Sequence, residues 1–231
     1  MARPTNSSEP GQKSVDPCSA AKLTGLATPV ARIALDTHSA TASGRTWPDR
    51  PRRASTIRSM KIDRPLLFAP QRWEWGGLDA VFSTAAPADE LVTNIHVAGF
   101  VGDRIVVCRD GRYGWFLPGG TREAGESIGE CVARELAEEA GARLTGELRW
   151  IGAHHCVSDR PEPYRPHQPH PEKAWLWCAA EVEIVGEPGN PDDGEQVVEV
   201  RLAAVAEAQA LLGASADWMP DLIALAVESR G

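Results

Sequence analysis

The sequence predicts an α/β domain, a mixed β-sheet covered by helices on both faces, preceded by a disordered N-terminal tail. Three observations predict it. From residue 91 onward, β-branched runs alternate with stretches of helical period, and strands flanked by helices bury both faces of a sheet. Glycine and proline clusters punctuate these runs. Upstream, residues 1–60 are rich in Pro, Ser, Thr, Ala and Arg and poor in bulky apolar side chains, a composition that cannot offset the entropy of ordering.

The tail (1–60) holds nine Lys and Arg against four Asp and Glu, and residues 61–231 hold the other fifteen against twenty-eight. The net charge of −8 therefore divides into a basic tail and an acidic domain. That acidity argues against a general nucleic-acid partner, and the tail reads as a solvated segment. Met60 opens the more ordered stretch MKIDRPLLFAP, which makes it a candidate translation start. The five cysteines include no C-x-x-C pair, so they read as reduced thiols of a cytoplasmic protein. No apolar run reaches the roughly 18 residues of a spanning helix, so no membrane partner is expected.

Within 61–231, LVTNIHVAGFV (91–101) reads as a strand by its β-branched content. RIVVCR (104–109) follows it across a Gly-Asp hairpin turn. YGWFLP (113–118) is a short strand running into a glycine loop, and a helix spans 127–140. Longer strands are expected at 144–157 and 173–185, separated by a loop with five prolines. A strand over 195–203 and helices over 204–212 and 221–229 close the chain.

The helix at 127–140 is bounded by Ser127-x-x-Glu130, a capping box, and by Gly141, placed as a C′ glycine. Val132, Leu136 and Ala140 share a side that can bury. Glu135, Glu138 and Glu139 cluster on an adjoining face, where like charges repel and face the negative end of the helix dipole. Each penalty amounts to a few tenths of a kcal/mol to about 1. A divalent cation reverses the sign of these terms, and three carboxylates form an oxygen-rich site of the kind Mg²⁺ accepts. A solvated acidic face is the alternative; the preceding LPGG, which permits close phosphate approach, favours the site.

Gly120, five residues, Glu126, seven residues, Arg134-Glu135-Leu136, one residue, Glu138-Glu139, one residue and Gly141 resemble the Nudix box. Every fixed position matches; only the final bulky aliphatic residue departs, being Ala142. With WFLPGG before it, the likeness extends over about 90–205. The resemblance implies a Nudix-type α/β/α sandwich and Mg²⁺-dependent hydrolysis, with Mn²⁺ as a substitute, of a nucleoside diphosphate linked to another group. By motif position Glu135, Glu138 and Glu139 look like metal ligands, with the carbonyl of Gly119 beside them. Glu138 or Glu135 resembles the general base, and Glu126 and Arg134 resemble the pair that ties loop to helix. Glu195 is the candidate for a further acid on a later loop, with Asp193 and Glu199 as alternates. A nucleotide-binding Nudix-fold sensor without turnover is the second reading, disfavoured by the intact box.

The remaining candidates are less marked. Arg109, Arg112, Arg160 and Tyr164 are candidate substrate contacts, the last two from the proline-rich loop 158–172. His154 and His155 alternate sides of a strand, which speaks against a shared zinc ion. Trp175 and Trp177 share a strand face, in core packing or base stacking, with core favoured. The nucleotide substrate is not readable, and a homodimer stays open.

Overall fold

The computed structural model describes residue 60 and residues 63–191 and 196–230. The tail, apart from Met60, lies outside the described residues, and so do Asp193 and Glu195. The elements are α1 (Pro65–Phe68), β1 (Gln71–Trp73), β2 (Leu78–Ser83), a 3-10 turn (Asp89–Leu91), β3 (Val92–Val101), β4 (Arg104–Asp110), β5 (Gly114–Phe116), β6 (Gly119–Thr121), α2 (Ile128–Ala140), β7 (Ala142–Leu144), β8 (Arg149–Ser158), β9 (Glu172–Ile184), β10 (Val197–Ala204), α3 (Val205–Gly213) and α4 (Met219–Glu228).

Successive side chains on a strand point to opposite faces, and three central strands use both. Ile105 and Val107 of β4, Ala98 and Phe100 of β3, and Trp175, Trp177 and Ala179 of β9 pack on one side with α1, α3 and α4. Val106 and Cys108, Ile95 and Val97, and Leu176, Cys178 and Ala180 pack on the other against Cys131, Val132, Leu136 and Ala140 of α2. This is the α/β/α sandwich expected, with two apolar layers separated by one sheet. Each fully buried aliphatic or aromatic side chain stabilises it by about 1.5–3 kcal/mol.

The strand order is β1-β2-β8-β9-β3-β4-β10, with β5 on β4, β6 on β3 and β7 on β9. The pair β3–β9 is parallel and the others are antiparallel. Strand β3 pairs with β4 only at Phe100–Val101, next to the Gly102–Asp103 turn. Further toward its start the partner is β6, through Asn94–Thr121, Ile95–Gly120 and His96–Gly119. The sheet therefore opens between β3 and β4, and the glycine segment fills the opening. The short strand expected over 113–118 is β5, and the glycine loop expected after it forms a further short strand, β6, with a different partner. The strand expected over 144–157 is β8, which begins later, at Arg149, while β7 ends at Leu144. Residues 63–91, for which the sequence suggested no element, supply α1, β1 and β2, and β1–β2 extend the sheet beyond β8.

Helix α2 has both capping-box bonds: Glu130 N–H donates to Ser127 Oγ at 3.2 Å, and Ser127 N–H donates to Glu130 Oε2 at 2.8 Å. Gly141 ends it at φ 58°. Its carbonyl accepts from Val185 and Gly186 at 2.8 and 3.1 Å. A Cβ at Gly141 would stand 2.2 Å from the Gly186 oxygen, so both backbone angle and space demand glycine there. Gly129, exposed in the same helix, has no atom within 4 Å of a built Cβ. In urea denaturation, Gly141→Ala is expected to lower stability by about 1–3 kcal/mol, and Gly129→Ala to raise it by up to about 1 kcal/mol.

Candidate active site

The spacing of α2 brings residues four apart to one side, so Glu135 and Glu139 both turn toward β6 and are 2% and 4% exposed. Glu139 Oε2 accepts the Gly119 N–H at 2.8 Å. A Cβ built on Gly120 would lie 2.5 Å from Glu135 Oε1, and one on Gly119 would lie 2.3 Å from the Ile95 oxygen. Two glycines in succession thus let two buried carboxylates meet the backbone of β6 directly.

Arg134 organises the other acids. Its Nε and Nη2 form a fork on Glu126 at 2.8 and 3.1 Å, and Nη2 also donates to the Thr121 carbonyl at 3.0 Å. Its Nη1 donates to Glu135 Oε1 at 2.6 Å and to Glu138 Oε2 at 3.2 Å. Glu126 Oε2 further accepts the Glu123 N–H at 2.9 Å. Burial alone would raise the Glu126 carboxyl, but the hydrogen bonds from Arg134 and Glu123 and the Arg134 charge outweigh it and hold it below the ordinary glutamate value of 4.5. The loop 121–126 is thereby fixed to the helix.

The three acids expected to project together do so only in part. Among the described residues no three His, Cys, Asp or Glu side chains form a ready metal cluster. The reason is visible in the bonding: Arg134 draws Glu135 and Glu138 to itself, while Glu139 is turned to the Gly119 N–H. The donor chemistry nevertheless fits an oxygen-coordinated divalent cation, with carboxylates one helical turn apart against a glycine cradle that any Cβ would fill. Glu195 lies outside the described residues; on its flanks Asn190 and Val197 bond each other at 2.8 and 3.0 Å, and Asn190 N–H donates to the Glu138 carbonyl at 3.1 Å. The alternate Glu199 pairs with Arg109 and Arg201 and stands apart from this group.

The expected substrate contacts are dispersed. Arg109 bonds Glu199 at 3.0 Å and lies over the Trp115 ring. Arg112 lies over its neighbour Tyr113. Arg160 donates to the Trp75 carbonyl at 3.1 Å, and Tyr164 is exposed. The loop carrying these last two is docked beside the site by two of its other side chains. Arg165 Nη1 donates to Glu123 Oε2 at 2.7 Å, and His167 Nε2 lies 3.3 Å from the Arg122 carbonyl.

His154 and His155 occupy opposite faces of β8, buried and exposed. His154 Nδ1 accepts from Trp177 Nε1 at 2.9 Å. Burial lowers its pKa to about 3, with a contribution from the His155 charge. His96 is also buried, which lowers it to about 4 against the opposing pull of a hydrogen bond to the Leu117 backbone. Both imidazoles are neutral at physiological pH. Four cysteines, Cys108, Cys131, Cys156 and Cys178, are buried free thiols.

The depressed Glu126 carboxyl makes the Arg134 fork pH-dependent. A group whose folded value lies below its unfolded one stabilises above the unfolded value and loses that contribution as pH falls through the folded one. Wild type is therefore expected to exceed Glu126→Gln by about 1–3 kcal/mol at pH 7. The difference shrinks as pH falls below 4.5. Denaturant titrations of both proteins across pH 2–7 check it, and taking the difference removes the contributions of the buried histidines.

The NUDIX domain family model matches residues 93–225, more than half of the chain. No curated protein sequence matches it. Among solved structures, the chain is similar to a Bacillus subtilis pyrophosphohydrolase at 15% identity, covering 62% of this chain and 90% of that one with a TM-score of 0.43. It is also similar to a MutT Nudix hydrolase of Burkholderia pseudomallei (19% identity, 49% and 83% covered, TM-score 0.36). A third similar structure is a Streptococcus suis ADP-ribose pyrophosphatase (18% identity, 58% and 90% covered, TM-score 0.35). With the box held between β6 and α2 and the family model spanning both, the chain belongs to the Nudix hydrolase family.

Proposed function

We propose that the protein hydrolyses a pyrophosphate bond in a nucleoside diphosphate linked to another moiety, with Mg²⁺ or Mn²⁺ as cofactor. One observation carries the reading: the acids of the box are gathered at a glycine cradle, Glu126, Glu135 and Glu138 by Arg134 and Glu139 by the Gly119 N–H. Glu135 and Glu139 would hold the cation, with Gly119 beside them and Glu138 at the rim. A divalent cation there would neutralise diphosphate oxygens and acidify water at the site.

The residues divide the remaining work. Glu138 is the acid of the set that reaches solvent, with 27% of its side chain exposed against 2% for Glu135. That favours Glu138 as the base that takes the proton of the attacking water. Arg134 donates to it and fixes its carboxylate in one orientation, so its role is positioning. Attack in line with the departing phosphate then separates the two halves of the substrate. Arg160 and Tyr164 of the loop 158–172 are the proposed contacts to the part of the substrate beyond the diphosphate, a reading supported by the bond from Arg165 of that loop to Glu123, with Arg109 and Arg112 as further candidates. The buried reduced thiols support a cytoplasmic setting.

Phosphate release from a panel of nucleotide anhydrides tests the proposal. Activity is expected with Mg²⁺ or Mn²⁺ and is lost in excess chelator. Glu138→Gln is expected to lower the rate about 10²–10⁴-fold with metal affinity retained. Glu139→Gln is expected to weaken metal binding, read by calorimetry, along with the rate. Metal-independent hydrolysis, or nucleotide binding without turnover across the panel, would overturn it.

A further inference from the structure

An open sheet ends in two strands whose outer backbone groups have no ladder partner, and proteins blunt such edges with shortness, charge, proline or a bulge. At one end of this sheet stands β1, three residues long, with Arg72 bonded to Glu74, Asp79 and Asp159. At the other stands β10, eight residues long. Among the described residues it pairs with β4 alone. Its sequence, VVEVRLAA, contains no lysine, proline or glycine, and its two charges, Glu199 and Arg201, bond each other. A register shift between Val197 and Glu199 leaves Val198 without a β4 partner, and from Glu199 to Ala204 the pairing is regular.

The two sides of β10 differ. Val200 and Leu202 are half-buried against the core on the α2 side, and Val198 is 58% exposed. On the other side Glu199 accepts from Arg109 of β4 at 3.0 Å, while Arg201 donates to Glu207 at 3.1 Å and lies over the Trp115 ring. A free backbone edge with an apolar row on one face and opposite charges on the other can accept a further strand.

Symmetry sets which strand fits. Two copies of one strand side by side run antiparallel about a two-fold axis normal to the sheet. Opposed residues then lie on the same face, and because faces alternate along a strand the axis must pass through a residue. A centre at Glu199 opposes two glutamates and a centre at Arg201 two arginines, each unfavourable. A centre at Val198 falls in the register shift. A centre at Leu202 or beyond runs the strand onto α3, which begins at Val205. A centre at Val200 sets Glu199 opposite Arg201 of the second copy, twice, and Val198 opposite Leu202, twice, around a pair of Val200 side chains. Glu199 then stands between Arg109 of its own β4 and the arginine of the second copy.

We propose that β10 is the interface of a symmetric homodimer, pairing antiparallel with β10 of a second copy about Val200, so that one sheet runs through both molecules. The occupant is a second copy because the charges and the apolar row of this edge complement themselves in that register. The interface is independent of the hydrolytic reading, since Glu199 stands apart from the box acids and the pairing needs neither metal nor nucleotide.

Light scattering after size exclusion, over a range of concentrations of the full chain, tests it. Wild type is expected to be a dimer that dissociates on dilution. Glu199→Lys opposes two cations at each end of the pairing, and Arg201→Glu opposes two carboxylates. Each variant is expected to be monomeric at concentrations where wild type is dimeric. Mixed in equal amounts, the two variants are complementary at both positions and are expected to form a heterodimer, which also shows that each has folded. Val198→Lys, at an exposed position, is expected to weaken the dimer about tenfold or more and decides the matter if a charge reversal fails to fold. A wild-type chain that is monomeric at every concentration would mean that something other than a second copy covers the edge. A dimer untouched by either reversal, or a mixture of folded variants that stays monomeric, would place the contact elsewhere. Any of these results overturns the proposal.

Discussion

The site depends on one guanidinium. Arg134 joins the loop 121–126, strand β6 and helix α2 because its planar set of donors meets Glu126 as a fork while still reaching Glu135, Glu138 and the Thr121 carbonyl. A lysine in this place would present a compact point charge on a flexible stem and could not span those directions at once. The helix itself gains little from the arrangement. Acids in its last turns oppose its dipole, and what moderates them is local. Gly189 and Asn190 present N–H groups to the carbonyls of Ala137 and Glu138, which places positive ends of amide dipoles at the negative end of the helix.

Charge alone would not place the acids; the backbone does. The divergence of β3 from β4 creates a strand position that only a short segment can fill, and that segment contains Gly119 and Gly120. Any side chain there would collide with β3 or with Glu135. The turn sequence therefore acts at the level of the sheet: without the opening, β6 has no partner, and without β6, Glu139 has no N–H to meet.

How much of this was legible follows from how local each feature is. Helix α2 could be read to within a residue because its caps are encoded within three positions of its ends and its apolar stripe within two turns. The box could be read because its acids, arginine and glycines act on neighbours in sequence. The division of 113–121 into β5 and β6 could not, since nothing within nine residues states that two halves pair with strands that have separated. Residues 63–91 were opaque for a similar reason: β1 is three residues long, and its meaning lies in Trp73 reaching His154, Trp175 and Trp218. Arg109 illustrates the limit for charges. Its position near the site suggested a phosphate contact, yet its guanidinium is engaged by Glu199 on β10, ninety residues away.

The aromatic layer behind Gly119 bears on the chemistry in front of it. Indole, imidazole and aliphatic groups behind β3 and β6 exclude water from one side of the acids. In such surroundings each charge interaction is stronger than it would be in water, and each unpaired polar atom is more costly. The same dryness keeps His96 neutral and surrounds the bonds from the Gly119 N–H to Glu139 and from Arg134 to Glu135. A polar residue in place of Trp177 or Phe100 would admit solvent to the sheet and weaken the site from a face that never touches the acids. The sandwich architecture is thus part of the electrostatics: the layer that stabilises the fold is also the medium in which the carboxylates act.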